Sequence, residues 1–441
     1  MNTLHKLKKI IRKLTPKFVL QTYHYLLARA ACILYGNPSR KMYVIGITGT
    51  KGKTSSANFI WSVLTAAGFK TGQIGTANLK LGDRELLNNM HMTMPGPFRL
   101  QKMLSEMVHS GCTHAVLEVT SEGILMYRHV GIIFDCAVFT NLSPEHLESH
   151  GGSFDNYKQT KGKLFASLME NAKQLNGKYV KRVSIINYDD PRKEFFYNFP
   201  ADLKITYGLN PKADIVAENI RETSEGVDFD VKNKPAHLSV LGKFNVYNAL
   251  PALALAETLK LQGDATRTGI SNVKIIPGRM EKIDEGQNFT VIVDYAHENL
   301  SLNTVLDAAR KIAGTNRVIL VTGGQGGGRD RAKRAQMGET AAKKSDLVVV
   351  TNEDPYDDNP QDIIHEIADA AVAHGKIIGQ TLFRNPDRRG GIAKALSLAK
   401  AGDVLIIAGK GAEQTMMTKN GAIPWDERTI VREELHKLVQ T

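Results

Sequence analysis

One segment near the start constrains this chain more than any other. Lys41–Thr48 (KMYVIGIT) is an apolar, β-branched run, which predicts a strand buried on both faces. It enters Gly49-Thr50-Lys51-Gly52-Lys53-Thr54-Ser55, and an amphipathic helix is expected from Ser55 to about Ala67. Strand, glycine-rich turn, Lys-Thr and helix predict a phosphate-binding loop. Its glycines let backbone N–H groups turn toward phosphate oxygens at the positive end of the helix. Lys53 would then neutralise the β- and γ-phosphates, and the Thr54 hydroxyl would hold Mg²⁺. The strict spacing wants glycine where Ile47 stands; the glycines here are Gly46 and Gly49.

Charge placement limits what the rest of the chain can do. The net charge is +12, but residues 1–41 carry nine Lys/Arg and no Asp or Glu, which leaves a net of only three on the other 400. The body is therefore not a nucleic-acid surface by charge. Within this basic arm, Leu4, Leu7, Ile11 and Leu14 fall at helical spacing. Thr15-Pro16 predicts an N-cap followed by Pro at the first helical position, and a second helix should end near Gly36-Asn37-Pro38. The uncharged run Phe18–Ala28 is too short and too polar, with Gln21, Thr22 and His24, to span a membrane or act as a signal peptide. Two readings remain open: a basic amphipathic arm touching an anionic membrane through residues 1–35, or a helical pair packed on the next domain with a solvated basic face. The three cysteines, Cys32, Cys112 and Cys136, show no metal-ligand spacing. They exclude a disulfide framework and predict a cytoplasmic protein.

Further chemistry follows the loop. Ala115–Thr120 predicts a strand with one acid, Glu118, near its end. Thr140-Asn141-Leu142 and Pro144-Glu145-His146-Leu147-Glu148-Ser149-His150-Gly151 come next, then Tyr157 to Phe165 with Lys161. Glu and His at two strand ends beside a phosphate loop make a hard-cation site. Asn245 and Asn248 stand one helical turn apart, so their amides share a face suited to a purine edge; Asn245 also reads as a plain helix N-cap. Beyond Ile276-Pro277-Gly278-Arg279, candidate strands Phe289–Asp294, Arg317–Thr322, Asp346–Thr351 and Asp403–Ala408 alternate with helices, which predicts an α/β doubly wound sheet. The run Gly323–Gly328 does not place GxGxxG in register, which argues against a nicotinamide site.

Gly46-Ile47-Thr48-Gly49-Thr50-Lys51-Gly52-Lys53-Thr54 is similar to the loop of the Mur ligases, which add amino acids to the muramic-acid peptide of the bacterial cell wall. The Thr140–Gly151 stretch, Tyr157–Lys161, Gly242–Asn248, Asp294-Tyr295-Ala296-His297, Arg329–Arg334 and Gly409-Lys410-Gly411-Ala412-Glu413 resemble that family's other motifs in the same order. The resemblance covers about residues 42–430 and leans toward the tripeptide-forming branch. After the basic helical arm (1–41) it implies a central P-loop ATPase domain with a mainly parallel sheet (42–277) and a C-terminal Rossmann-like amino-acid-binding domain (278–441). It implies ATP held by Gly49 through Ser55 (Gly49, Thr50, Lys51, Gly52, Lys53, Thr54, Ser55) with Asn245, Asn248, Arg279 and Asp294, the last near the ribose. Lys53, Lys161 and Arg279 would be catalytic. Mg²⁺ would be held by Thr54, Glu118, His146 and Lys161, the lysine carbamylated by CO₂. Thr93, Thr120, Arg128, Arg331, Asp354, Tyr356, Gly409 and Glu413 would contact the acceptor and the incoming amino acid.

The activity implied is an ATP-dependent ligase. It would make an acyl phosphate from a UDP-N-acetylmuramoyl-dipeptide or related carboxylate and pass it to an amino acid, working as a monomer on small molecules and no nucleic acid. Departures are specific. Glu145 replaces an Asp, Glu122 and Ala412 replace His, and Met94 replaces a Thr. Tyr356 stands where diaminopimelate-adding members place the Arg that clamps a distal carboxylate. A phenol cannot replace a bidentate guanidinium, so the acidic neighbours Asp354, Asp357 and Asp358 favour lysine or ornithine. The arm is shorter than the UDP-binding domain that precedes the loop in the tripeptide-forming branch, so the chain is expected to lack that domain. Two rivals stand beside this reading. One is a folylpolyglutamate-synthase-like ligase, whose loop reads Gly-Lys-Gly-Ser rather than Gly52-Lys53-Thr54-Ser55. The other is a Mur-like binding protein that has lost catalysis.

Overall fold

Seven parallel strands, among them the one that feeds the phosphate loop, form the centre of the first sheet. In spatial order they are Ile215–Thr223, Leu203–Gly208, Val183–Asn187, Cys136–Phe139, Tyr43–Thr48, His114–Glu118 and Thr71–Ile74, and antiparallel hairpins at both edges bring the sheet to eleven strands. This computed structural model describes residues 15–439 except His91, His146, Ser224, Arg329 and Asp330. The helix expected over Leu4–Leu14 and the metal role expected of His146 lie outside the described residues.

All six residues of Tyr43–Thr48 are buried, as a central parallel strand requires. Alternation sends Tyr43, Ile45 and Ile47 into one core and Met42 and Val44 into the other. The first core packs the helix Lys53–Ala66 with Phe244–Thr258. The second packs Pro97–His109 and Phe154–Ala166. At Gly46 a Cβ would come within 2.8 Å of Leu164 and Phe134, so glycine is needed for close approach there and not for the loop turn.

A second sheet of six strands follows, in the order Glu281–Ile283, Thr290–Asp294, Val404–Ala408, Val318–Thr322, Leu347–Thr351 and Leu382–Asn385. Only the first pairing is antiparallel. Each of the four strands expected here begins one residue later than its sequence pattern indicated.

The arm contributes one helix, Lys17–Leu34. Pro16 precedes it instead of opening it, and no side chain caps its start. It ends before Gly36 and Asn37, both at positive φ. Ala28, Ala31 and Cys32 are buried, and the Cys32 Sγ would lie 2.2 Å from a Cβ at Gly131. The outward face of this helix is apolar.

At the end of the large sheet away from the phosphate loop, Asp135 holds the strands together. Its carboxylate is fully buried, accepts the Val44 N–H at 2.8 Å, takes the Lys173 ammonium at 2.5 Å and pairs with the Arg182 guanidinium. Removing the anion strands two buried cations. Asp135→Ala should destabilise the chain by about 3–5 kcal/mol in urea unfolding, far more than an exposed pair would.

Candidate active site

The loop leaves its strand at Gly49 and turns at Gly52, whose φ of +83° at the head of the helix suits glycine. Thr140 and Asn141 grip the turn. The Thr140 hydroxyl donates to the Lys51 carbonyl at 2.7 Å, and the Asn141 side-chain oxygen accepts the Lys51 N–H at 2.9 Å. Asn248 presses on the other side, where its Oδ1 would lie 2.4 Å from a Cβ at Gly52. Its amide N–H donates to Asn245 at 2.8 Å, and Asn245 donates to the Leu241 carbonyl. The pair therefore braces the loop, and Asn245 does not reach the cavity.

Above the loop lies a cavity of 2170 Å³ shared by the two sheets. Thr50, Lys51, Gly52, Lys53, Thr54 and Ser55 line it, as do Thr93, Glu118, Thr120, Arg128, Asn248, Lys161, Arg279, Asp294, Asp354, Tyr356 and Glu413. Gly49, Asn245, Arg331 and Gly409 do not. Arg331 is a correction. Its side chain is 73% exposed and reaches Glu366, while its neighbours Lys333 and Arg334 turn inward. Gly49 acts through its carbonyl, which accepts both the Lys53 and the Lys161 ammonium nitrogens at 2.9 Å.

Those two amines share one acceptor, and their pKa values follow. Burial lowers Lys53 to about 8, against the pull of Glu118 and Glu145. Burial, then the Lys53 charge, drives Lys161 well below the ordinary lysine range. Lys161 also lies 4.5 Å from the Tyr157 ring.

Glu118 ends its strand beneath the helix start. It accepts the Thr54 hydroxyl at 2.9 Å, the Thr76 N–H at 2.8 Å and the Thr76 hydroxyl at 2.9 Å; Thr76 in turn meets Thr93 at 2.8 Å. This is an all-oxygen donor set, which suits Mg²⁺ held by one or two protein oxygens plus substrate phosphates. Among the described residues no cluster of three or more His, Cys, Asp or Glu could cage a metal alone. Thr76 was not legible in the sequence; only its position after Gly75, packed under Glu118, marks it. Thr120 caps the short helix Ser121–Leu125 by accepting the Gly123 N–H, and Arg128 donates to the Met94 carbonyl beside it.

The second sheet supplies the opposite wall. Gly278, at φ +62°, passes so close to Gly411 and Ala412 that a Cβ would lie 2.1 Å from the Ala412 nitrogen. Arg279 then stacks on the Tyr295 ring at 4.3 Å. Asp294 is buried and bonds the N–H groups of Met280 and Ala296 at 2.7 and 2.8 Å, fixing the turn that aims Arg279. Glu298, also unread in the sequence, reaches back across the cleft. Lys51 lies 2.8 Å from Glu145 and 3.9 Å from Glu298, and Lys333 lies 3.0 Å from Glu298. Burial, only partly offset by Lys51, pushes Glu145 up; Glu298 is held down to about 2 against its own burial by Lys51 and His297.

Glu413 accepts from Lys410 at 2.5 Å and from the Tyr295 hydroxyl at 3.1 Å. Asp354, expected to face the incoming amine, is 1% exposed and takes the buried Lys410 ammonium at 2.9 Å. Tyr356, at φ +51°, lies over Gly327. Behind this wall Glu353 is fully buried, with neither oxygen accepting a hydrogen bond; a Cβ at Gly409 would meet it at 2.5 Å. Burial pushes Glu353 up to about 7, against the nearby Arg388 charge.

Comparisons with known proteins agree with this architecture. Residues 47–256 match the Mur ligase middle domain and residues 278–411 the Mur ligase glutamate ligase domain. A UDP-N-acetylmuramyl-tripeptide synthetase of Roseiflexus sp. (strain RS-1) is 37% identical over 93% of this chain and 82% of its own. The solved structure of a UDP-N-acetylmuramoyl-L-alanyl-D-glutamate–2,6-diaminopimelate ligase superposes with a TM-score of 0.60 at 28% identity, covering 91% of this chain and 80% of that one. Mycobacterium tuberculosis folylpolyglutamate synthase complexed with ADP shares the fold, with a TM-score of 0.67 over 99% of this chain and 98% of its own at 17% identity. Fold, cavity and relatives define an ATP-dependent amide ligase. More narrowly, the chain belongs to the Mur ligase family, whose members serve peptidoglycan synthesis.

Lys53 carries its charge below about pH 8 and loses it above. Bound phosphates favour the ammonium, so ATP binding should take up a proton there. ATP affinity measured by calorimetry should therefore fall as pH rises past 8, by at most about tenfold per unit. Lys53→Arg should remove that dependence.

Proposed function

We propose that this chain joins a diamino acid to the carboxylate of a UDP-N-acetylmuramoyl-dipeptide or a closely related acceptor. Residues 42–277 would bind ATP and the acceptor, and residues 278–441 the amino acid. The observation that carries the reading is that Lys53, Thr54, Glu118, Arg128, Arg279 and Glu413 line one cavity. Lys53 and the loop N–H groups would hold the phosphates, with Thr54 and Glu118 placed to bind Mg²⁺. Bound there, Mg²⁺ would neutralise phosphate charge. The acceptor carboxylate oxygen attacks the γ-phosphorus, the bond to the ADP oxygen breaks, and an acyl phosphate forms. Lys53 and Arg279 stabilise the charge that spreads in that step. The amino acid nitrogen then attacks the acyl carbon, phosphate leaves, and the amine gives up its proton. Asp294, which lines the same cavity, would serve the ATP ribose and also fix the turn that aims Arg279.

Lys161 fits a carbamate. Its amine is buried and biased toward the neutral, nucleophilic form, which adds CO₂ and releases a proton. The product anion would sit beside Lys53, which relieves the repulsion between two amines at one carbonyl. ¹³C-labelled bicarbonate should give a carbamate resonance in the native chain that disappears in Lys161→Ala.

For the amino acid, Tyr356 offers no guanidinium to a distal carboxylate. Asp354 and Glu413 line the same cavity wall as Tyr356, an acidic surround that would suit a side-chain ammonium. Lysine or ornithine follows. The relatives named for 2,6-diaminopimelate carry the second reading. Phosphate release from Mg-ATP with UDP-N-acetylmuramoyl-dipeptide should require lysine or ornithine. Release with diaminopimelate alone would establish the second reading, and release with none would move the search to other carboxylates. Lys53→Ala should lower turnover about 10³-fold with the fold intact; native rates in that variant would remove the site.

A further inference from the structure

The arm helix Lys17–Leu34 has two faces with different tasks. Its inner side carries the buried Ala28, Ala31 and Cys32, and from the same side Leu20, Gln21 and His24 line the central cavity. At 100° per residue, Phe18, Val19, Thr22, Tyr23, Tyr25, Leu26, Arg29, Ala30, Ile33 and Leu34 fall within an arc of about 180° on the outer side. All ten are exposed, and Arg29 is the only charge among them. Phe18 is 68% exposed, Leu26 59% and Ile33 69%. A continuous apolar face of this size is what a soluble chain covers with a partner.

The charge around that face selects the partner. Residues 1–41 hold nine Lys/Arg and no acid, and Arg40 and Lys41 stand exposed just past the helix end. A second copy docked through the same face would set one basic arm against another. An anionic lipid surface offers apolar depth for Phe18, Leu26 and Ile33, an interface for the ring and hydroxyl of Tyr23, and negative headgroups for the arm. No described helix is long and apolar enough to cross a bilayer, so the helix would lie along the surface. We propose that the outward face of this helix docks the protein on an anionic membrane. One consequence is geometric. The cavity wall formed by Leu20, Gln21 and His24 then stands about one helix diameter, roughly 10 Å, from the headgroups. The inference does not rest on the ligase reading, because docking is measured without turnover.

The test is sedimentation of the full chain with vesicles of phosphatidylcholine alone or mixed equally with phosphatidylglycerol. The native protein should bind the mixed vesicles at least about tenfold more tightly, and raising sodium chloride from about 0.1 to about 0.5 M should weaken that binding. The double variant Leu26→Glu, Ile33→Glu should lose at least about tenfold in vesicle affinity while its melting temperature and ATP binding stay native. Phe18→Trp, which preserves the apolar face, should blue-shift in difference emission when mixed vesicles are added. Native-like vesicle binding by the double variant would overturn the proposal. So would absence of vesicle binding with self-association that the double variant abolishes, which would give the face to a second copy. Absence of both would overturn it in favour of a cover from elsewhere, such as residues 1–14 or an acidic protein.

Discussion

The architecture of the cavity depends on one carboxylate kept at the carboxyl end of a parallel strand. Glu118 is 1% exposed, and three hydrogen bonds from Thr54 and Thr76 satisfy it. They tie the helix start, the segment after Thr71–Ile74 and the strand His114–Glu118 at one point. A buried carboxylate without such donors would be expensive to keep ionised. With them, negative charge sits beside the loop that must receive phosphate, and a divalent cation is the natural mediator between the two. The opposite end of the same sheet is sealed by Asp135 with Lys173 and Arg182. The sheet thus has one charged end closed on itself and one left open for chemistry, the usual side for ligands in open α/β sheets.

The second wall of the cavity is built with little slack, and a lysine ties it to the first. Gly278 runs against the Gly411–Ala412 backbone where no side chain fits. Asp294 ties the turn after it, so Arg279 is aimed by backbone hydrogen bonds as well as its own stacking. Lys51 stands between Glu145 from the first sheet and Glu298 from the second. Lys51 is therefore part of the joint between the halves, a role that its place in a phosphate motif does not announce.

What could be read from the sequence was what is contiguous. The strand into the loop, the helix after it and the four later strands are short apolar runs bounded by turns, and periodicity alone locates them within about two residues. Glu118 stood out because an acid at the end of an apolar strand is rare. Thr76 and Glu298 did not, since their importance comes from partners far along the chain, Glu118 for the first and Lys51 for the second. Arg331 was misplaced because a basic run at a helix start does not say which members turn inward; Lys333 and Arg334 do, and Arg331 does not. Asp354 lines the cavity, but its ion pair with Lys410, 56 positions along the chain, could not be read in advance. The arm was read by its net charge, whereas the face it shows to solvent is set by which residues Pro97–His109 and its neighbours cover.

Glu353 carries a consequence of its own. Its folded pKa of about 7 lies above the ordinary 4.5, so the native chain holds a proton that the unfolded chain has already released. The stability this proton supplies is complete below pH 4.5, and it drains away as the pH climbs to 7 and beyond. At that point a bare charge sits under Gly409 with no donor to meet it, a burden on the order of 3 kcal/mol. The step from mild acid to neutral pH thus loosens one wall of the cavity, and alkali beyond it adds nothing further through this group.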